Sequence, residues 1–376
     1  TVYMCLDTSL FSQADILSTG GNAMDNFKAF LKRKDIEISA KRYGINALGA
    51  MAQGLFCSLL IGTIINTIGS QFGIGFLTAP VASVAGADYT VGGLASAMSG
   101  PAMAVAIGYA LHCPPLVLLS LITVGFASNA LGGAGGPLAV LFVAIISSEI
   151  GKAVSKETKI DILLTPLVTI GVGVALSAWW APALGKAAMK VGDIIMWATD
   201  LQPFLMGILV SLVVAIALTL PISSAAICAA LGLTGLAGGA AVAGCCAQMV
   251  GFAVMSFREN RWGGVLAQGL GTSMLQMGNI VKKPLVWIPP ILASVITGPI
   301  ATVVFRLECV GVSAGMGTCG LVGPLGAITA TAEKDAIFWI GLVLICLILP
   351  AVLTLAFSEI MRKIGLIKEG DLKLEL

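Results

Sequence analysis

AIFWIGLVLICLILPAVLTLAFS, residues 336–358, carries no charged side chain along its whole length. A helix needs about 20 apolar residues to cross the hydrocarbon core of a bilayer, and this run exceeds that. A barrel strand would instead alternate apolar and polar residues over about ten positions, and no such alternation is present here or in Leu163–Trp180. Working outward, Asp88 is the only formal charge between Arg42 and Glu149, and none falls within Leu201–Phe257 or Pro284–Phe305. The first two gaps are long enough for several spans each and the third for one. Across the chain, 57% of residues are apolar and 11% charged, against roughly 25% charged in soluble domains. A soluble chain of this size would need charge on every exposed face. The reading is an all-α polytopic membrane protein of about ten transmembrane helices plus re-entrant hairpins, in two bundles. Its 46 glycines fit close helix packing in lipid and broken helices.

The rest of the composition narrows the function. A net charge of +2 and the lack of a basic domain give no reason to expect nucleic acid. The nine cysteines show neither C-x-x-C nor zinc spacing, so no metal or cofactor is expected. No Walker A, H-E-x-x-H or G-x-S-x-G sequence occurs, and no catalytic site of the chain's own is expected.

The pattern divides the chain into five parts. Residues 1–43 read as a cytoplasmic amphipathic arm, in which Phe27, Phe30, Leu31 and Lys34 keep helical spacing behind a cap at Asp25 or Asn26. Residues 44–181 form a first transmembrane bundle, 182–202 an interfacial amphipathic connector, 203–358 a second bundle with re-entrant hairpins, and 359–376 a cytoplasmic tail. Basic residues at Lys28–Arg42, Lys152–Lys159 and Arg362–Lys373 place both termini inside by the positive-inside bias. An even number of crossings must then separate Arg42 from Lys152. Five candidate segments lie between them, and 71–87 is the one expected not to cross.

Polar groups in the second bundle mark the candidate site. In QGLGTSMLQMGNIVKK (268–283), Gln268, Thr272, Gln276 and Asn279 share one helical face. Unpaired polar groups in lipid cost several kcal/mol each, so this stripe must face protein, water or ligand. Hydrogen bonding between helices serves it as well as solute binding does. In ECVGVSAGMGTCGLVGPLG (308–326), six glycines disfavour a continuous helix. A turn at Gly317–Thr318 can offer backbone groups to a solute. Glu308 is a proton or solute contact, or else the partner of Arg306 in an interface ion pair. Ser223 and Ser224, after the break at Pro221, are further candidates; Asn129 and Asp88 are weaker ones. His112, before Cys113-Pro114-Pro115, reads as a loop residue. Trp287, Trp262 and Phe305 are the aromatic platforms near the stripe.

Taken together, NIVKKPLVWIPPILASVITGPIATVVF (279–305) and GVSAGMGTCGLVGPLG (311–326) resemble the membrane IIC subunits of the bacterial phosphotransferase system, in the branch that includes perfringolysin regulators. The resemblance covers about residues 27–360. It implies a homodimer in the bacterial cytoplasmic membrane, formed through the first bundle, with substrate held between re-entrant hairpins of the second. It also implies a sugar-like solute and separate soluble IIB and IIA partners. Sugar-transporting IIC proteins typically carry a Gly-Ile-Thr-Glu sequence, whereas this chain has Gly317-Thr318-Cys319-Gly320 in the comparable loop and no Glu. Three functions stay open: a IIC-type permease, a solute-sensing membrane regulator, and an ion-coupled carrier using Glu308 or Asp88.

Overall fold

Inside a bilayer the backbone cannot reach water, and a helix satisfies its own N–H and C=O groups within one segment. The computed structural model, which describes residues 26–84 and 86–374, follows that rule. Among the described residues the only sheet is a hairpin of β1 (Ala82–Val84) and β2 (Ala87–Tyr89). One-turn pieces aside, the helices are α1 (26–33), α2 (Arg42–Phe72), α3 (Val91–Ala97), α4 (Ser99–Ala110), α5 (Pro115–Gly132), α6 (Gly136–Val154), α7 (Asp161–Thr199) and α8 (Pro203–Thr219). There follow α9 (Ser224–Ala230), α10 (Gly235–Met255), α11 (Phe257–Leu266), α12 (Met277–Lys282), α13 (Pro284–Val304), α14 (Val322–Ala330) and α15 (Ala336–Lys363). Residues 1–25 of the expected arm, with its Asp25 cap, and residues 375–376 of the tail lie outside the described part.

Among the described residues, six helical runs are long and apolar enough to cross a membrane, and α3 and α4 make a seventh if their 50° bend is one broken span. One of the six, Pro115–Val154, turns back on itself at Gly133 (φ 51°, ψ −121°), so that α5 and α6 pack side by side. The apolar α8 is shorter, at 17 residues.

Hydrogen bonds fix which ends meet. The Arg42 guanidinium and the Lys152 ammonium both donate to the Leu111 carbonyl, at 2.9 and 3.0 Å. The start of α2, the end of α4 and the end of α6 therefore share one face, called here the arm face. The α2–α4 and α5–α6 pairs each leave it and return. Segment 71–87 holds the last two residues of α2 and, among the described residues after them, a one-turn helix at Gly75–Thr78 and most of the β-hairpin, and Asp88 stands exposed in that hairpin. The tail ends on the arm face too, since Ile367 and Leu372 are buried in one cluster with Ala47, Met51, Leu275 and Ile280.

The connector expected at 182–202 is not a separate element. Asp161–Thr199 is one 39-residue helix with Pro166 and Pro182 inside it. A proline inside a helix removes one hydrogen bond and need not end it in an apolar setting. Met196 is exposed as a lipid-facing residue would be, but Ile195 turns inward and is buried.

The arm itself is tied down by charge. Arg33 pairs with Glu157 at 2.8 Å, and Lys152 donates to the Asp35 carbonyl at 2.9 Å. Arg42 holds the Asp35 carboxylate through two bonds, at 2.6 and 3.1 Å, and His112 Nδ1 lies 3.0 Å from it. The Arg42 hydrogen bonds hold the Asp35 carboxyl down from its ordinary 3.8 to about 2, with His112 assisting against partial burial. A depressed carboxyl stabilises the folded contact fully above its unfolded value and loses that contribution as pH falls toward its folded one. The arm is therefore expected to hold from pH 8 to 5 and to loosen between about pH 4 and 2. Asp35→Asn should release it already at neutral pH, read as faster tryptic cleavage at Lys32–Lys34; equal cleavage rates would refute the tether.

Candidate functional site

Two broken-helix hairpins approach each other from opposite faces in the second half of the chain. The arm-face hairpin descends through α11, turns over 267–276 and returns through α12. Its first limb breaks at Arg261 (φ 51°, ψ −155°), and Thr272 is extended (φ −156°) at the tip. The far-face hairpin spans 311–330 and turns at Gly317, Gly320 and Leu321, whose φ values are 54°, 51° and 61°. Glycine takes positive φ without steric cost, which is why the motif needs it. Gly317 also lies so close to α10 that a Cβ there would sit 2.7 Å from the Cys245 side chain.

The tips touch. Thr318 Oγ1 donates to the Gly269 carbonyl at 2.5 Å. The first half closes the side of this seam through α2, with Phe56 over Gly271, Ile64 beside Gly320, and Leu60 packed with Cys319 and Met249.

Directly behind the tips is a polar cluster. Thr219 Oγ1 donates to Gln248 Oε1 at 3.2 Å and lies 2.9 Å from Ser273 Oγ. Trp287 Nε1 donates to the same Gln248 oxygen at 2.9 Å. Thr219, Gln248 and Ser273 are fully buried, and the Gln248 amide nitrogen has no partner among the described residues. The indole N–H can only donate, so it fixes the amide with its oxygen toward Trp287 and its two N–H groups away. Such an unsatisfied buried donor costs about 1–3 kcal/mol. None of the four side chains is ionisable near neutral pH.

The residues expected at the site fall into three places. Thr272, Gly317 and Thr318 are at the tips, and the Thr272 hydroxyl accepts from the Met274 amide at 3.1 Å. Gln268, Gln276 and Asn279 run up the arm-face hairpin as a bonded ladder. Gln268 donates to Ser256 Oγ at 2.9 Å, Gln276 to Gln268 at 2.9 Å, and Asn279 to Gln276 at 2.8 Å. The ladder then continues to main-chain carbonyls of the tail, from Gln276 to Leu372 and from Asn279 to Lys373, each at 3.0 Å.

The remaining candidates stand away from the tips. Ser224 donates to the Gly315 carbonyl at 2.7 Å, bracing the far-face hairpin, and Ser223 caps α9. Glu308 is half-buried at the base of that hairpin, and no ion pair joins it to Arg306 among the described residues. Asn129 donates to Ser99 at 3.3 Å between α5 and α4. Trp262 is exposed against Phe257 and Phe305 packs on Gly341, so Trp287 alone of the three aromatics reaches the cluster.

Sequence reasoning passed over Thr219, Gln248 and Ser273. The available signal was Gln248, the one amide in the small-residue run GLAGGAAVAGCCAQMVGFAVM of α10.

In comparison with known proteins, the model of the family described as "Phosphotransferase system, EIIC" matches residues 45–374. No curated protein and no solved structure matched. The family match runs from the start of α2 through both hairpins to the tail, and the chain belongs to the phosphotransferase system EIIC family.

Proposed function

We propose that the chain carries a sugar or a related uncharged polar solute across the bacterial cytoplasmic membrane, and that the solute passes the seam where the two hairpin tips meet. Family membership supports a membrane permease role in the phosphotransferase system. The observation that supports this solute class is the buried, uncharged cluster of Thr219, Gln248, Ser273 and Trp287 behind the Thr318–Gly269 contact. Hydroxyl, amide and indole groups suit a solute rich in hydroxyls, and the unsatisfied Gln248 amide offers a donor to it. In this reading the hairpins part, solute replaces the tip contact, and the ladder of Gln268, Gln276 and Asn279 keeps the arm-face hairpin in shape.

Several further features belong to the same reading. The arm face, rich in Lys and Arg, is cytoplasmic, which puts both ends of the described chain inside. About ten crossings, with the two hairpins re-entrant, satisfy this arrangement. Two copies associate through the first half. Phosphate comes from a separate IIB protein. An ion-coupled carrier finds less support, because Asp88 and Glu308 both stand apart from the tips.

The test is reconstitution in proteoliposomes with labelled hexoses and hexitols, with and without phosphorylated IIA and IIB components. Sugar phosphate formed only with the partners is the expected result. Uptake of unmodified solute that follows a proton gradient would reject it. Gln248→Leu is expected to weaken solute binding about tenfold or more, because the solute loses a buried donor worth about 1–3 kcal/mol. It should lower the melting temperature of the empty protein only modestly, since loss of the bonds from Thr219 and Trp287 is offset in part by removal of the unpaired amide nitrogen. Unchanged affinity in Gln248→Leu would take this residue out of the site.

A further inference from the structure

Residues 364–374 lie across the arm-face hairpin and are bonded to both of its limbs. On the first limb, Asn260 donates to the Leu372 carbonyl and accepts from the Leu374 amide, both at 2.8 Å. On the second limb, Gln276 and Asn279 donate to the Leu372 and Lys373 carbonyls, and Lys283 pairs with Asp371 at 2.5 Å. Between these bonds the Ile367 and Leu372 side chains are 2% and 0% exposed. The other end of the tail is continuous with α15, which is itself held to the hairpin by the Arg362–Glu259 pair at 2.8 Å. Both limbs are thus fastened to one segment.

Two further observations concern what this fastening does. The backbone of Arg261, next to Asn260, has a positive φ of 51°, a conformation costly for a residue with a side chain and typical of places where a chain is held in one of two states. The cavity between α2 and the second limb, lined by Gly49, Gln53, Gly278, Asn279, Lys373 and Leu374, is about 50 Å³. At about 10–15 Å³ of such space per water it has room for a few water molecules. Lys373 and Leu374 of the tail form part of its wall.

We infer that the 364–374 segment is a strap that holds the arm-face hairpin closed, and that it must lift before the hairpin can move and the seam can open to that face. The inference rests on the reading that the hairpins part, but its consequence can be measured without any solute. Hydrogen exchange, followed by mass spectrometry on the full chain in detergent, reports on the hairpin (267–282) and on the tail. Lys283→Glu and Asp371→Lys each put like charges together at a partly exposed pair, which should leave the fold intact. The expected result is exchange at least tenfold faster in both segments for each single variant, and protection restored in the Lys283→Glu/Asp371→Lys double variant. Asn260→Ala, which removes the first-limb bonds without changing charge, should also speed exchange in 267–282. Faster exchange confined to the tail would overturn the strap, as would no change in either segment. If exchange behaves as expected and no sugar is carried, the strap stands and the transport reading falls.

Discussion

Gly239→Ala is expected to destabilise the second half of the protein by about 3 kcal/mol and to cut the yield of monodisperse protein severely. A Cβ at Gly239 would stand 1.8 Å from the Leu307 carbonyl oxygen and 2.6 Å from its carbon. The obstruction is main chain and cannot rotate aside. Nor can the 307–311 segment retreat freely, because the Cys309 amide donates to the Gly235 carbonyl at 3.2 Å and the Gly311 amide to Leu233 at 2.8 Å. Overpacking a tight core typically costs 1–3 kcal/mol, and a backbone-to-backbone contact belongs at the upper end. The far-face hairpin starts from this segment, so its tip should shift as well. Gly263→Ala is the control, since a Cβ there meets nothing within 4 Å. The two variants are compared by thermal unfolding in detergent; similar melting temperatures would show that the 307–311 segment yields.

Arg362→Met is the second large effect. Arg362 donates to Glu259 at 2.8 Å and to the Met255 carbonyl at 3.2 Å, and the Glu259 side chain is 3% exposed. Removing the guanidinium leaves a carboxylate buried without its countercharge, and breaking such a pair from one side costs about 3–5 kcal/mol. Replacing both partners with apolar groups of similar volume is often neutral or better. Arg362→Met should therefore unfold early, and Arg362→Met/Glu259→Met should recover most of the loss. A double variant no more stable than the single one would mean that the contact with Met255, rather than the ion pair, carries the stability.

How much of this was legible beforehand depended on whether the signal was local. Charge-free runs revealed the membrane class because each span must meet lipid by itself. The glycines of 311–326 revealed the far-face turn because positive φ at Gly317 and Gly320 is a local demand. The amides at 268–279 were expected to share one helical face, but the chain turns at the extended Thr272 and Gln268 meets Gln276 across the turn; their further partners were not visible. They are carbonyls of Leu372 and Lys373, which any residue could supply, so no side-chain pattern announces them. Gln248 escaped notice because one amide in a run of small residues has no period. At 182–202 the end of a long helix and a separate interfacial helix share one amphipathic pattern, and Pro182 suggested a boundary that the helix passes through. Oligomeric state and solute identity depend on surfaces and ligands beyond one chain's own contacts.

Of the most hydrophobic stretch of α10, 94% is buried inside the protein, against 33% for α15 and 22% for α7. In the finished molecule this helix scarcely meets lipid, yet two of the helices enclosing it, α13 and α15, lie later in the chain. As the ribosome makes the protein, α10 must therefore enter the bilayer before its neighbours exist, with its glycine-lined faces bare. The hundred or so residues from Met255 to Lys363 take roughly 5–20 s at elongation rates of about 5–20 residues per second. Throughout that interval the centre of the second half is unfinished, and nascent chains that stop short of α15 are natural targets for membrane proteases.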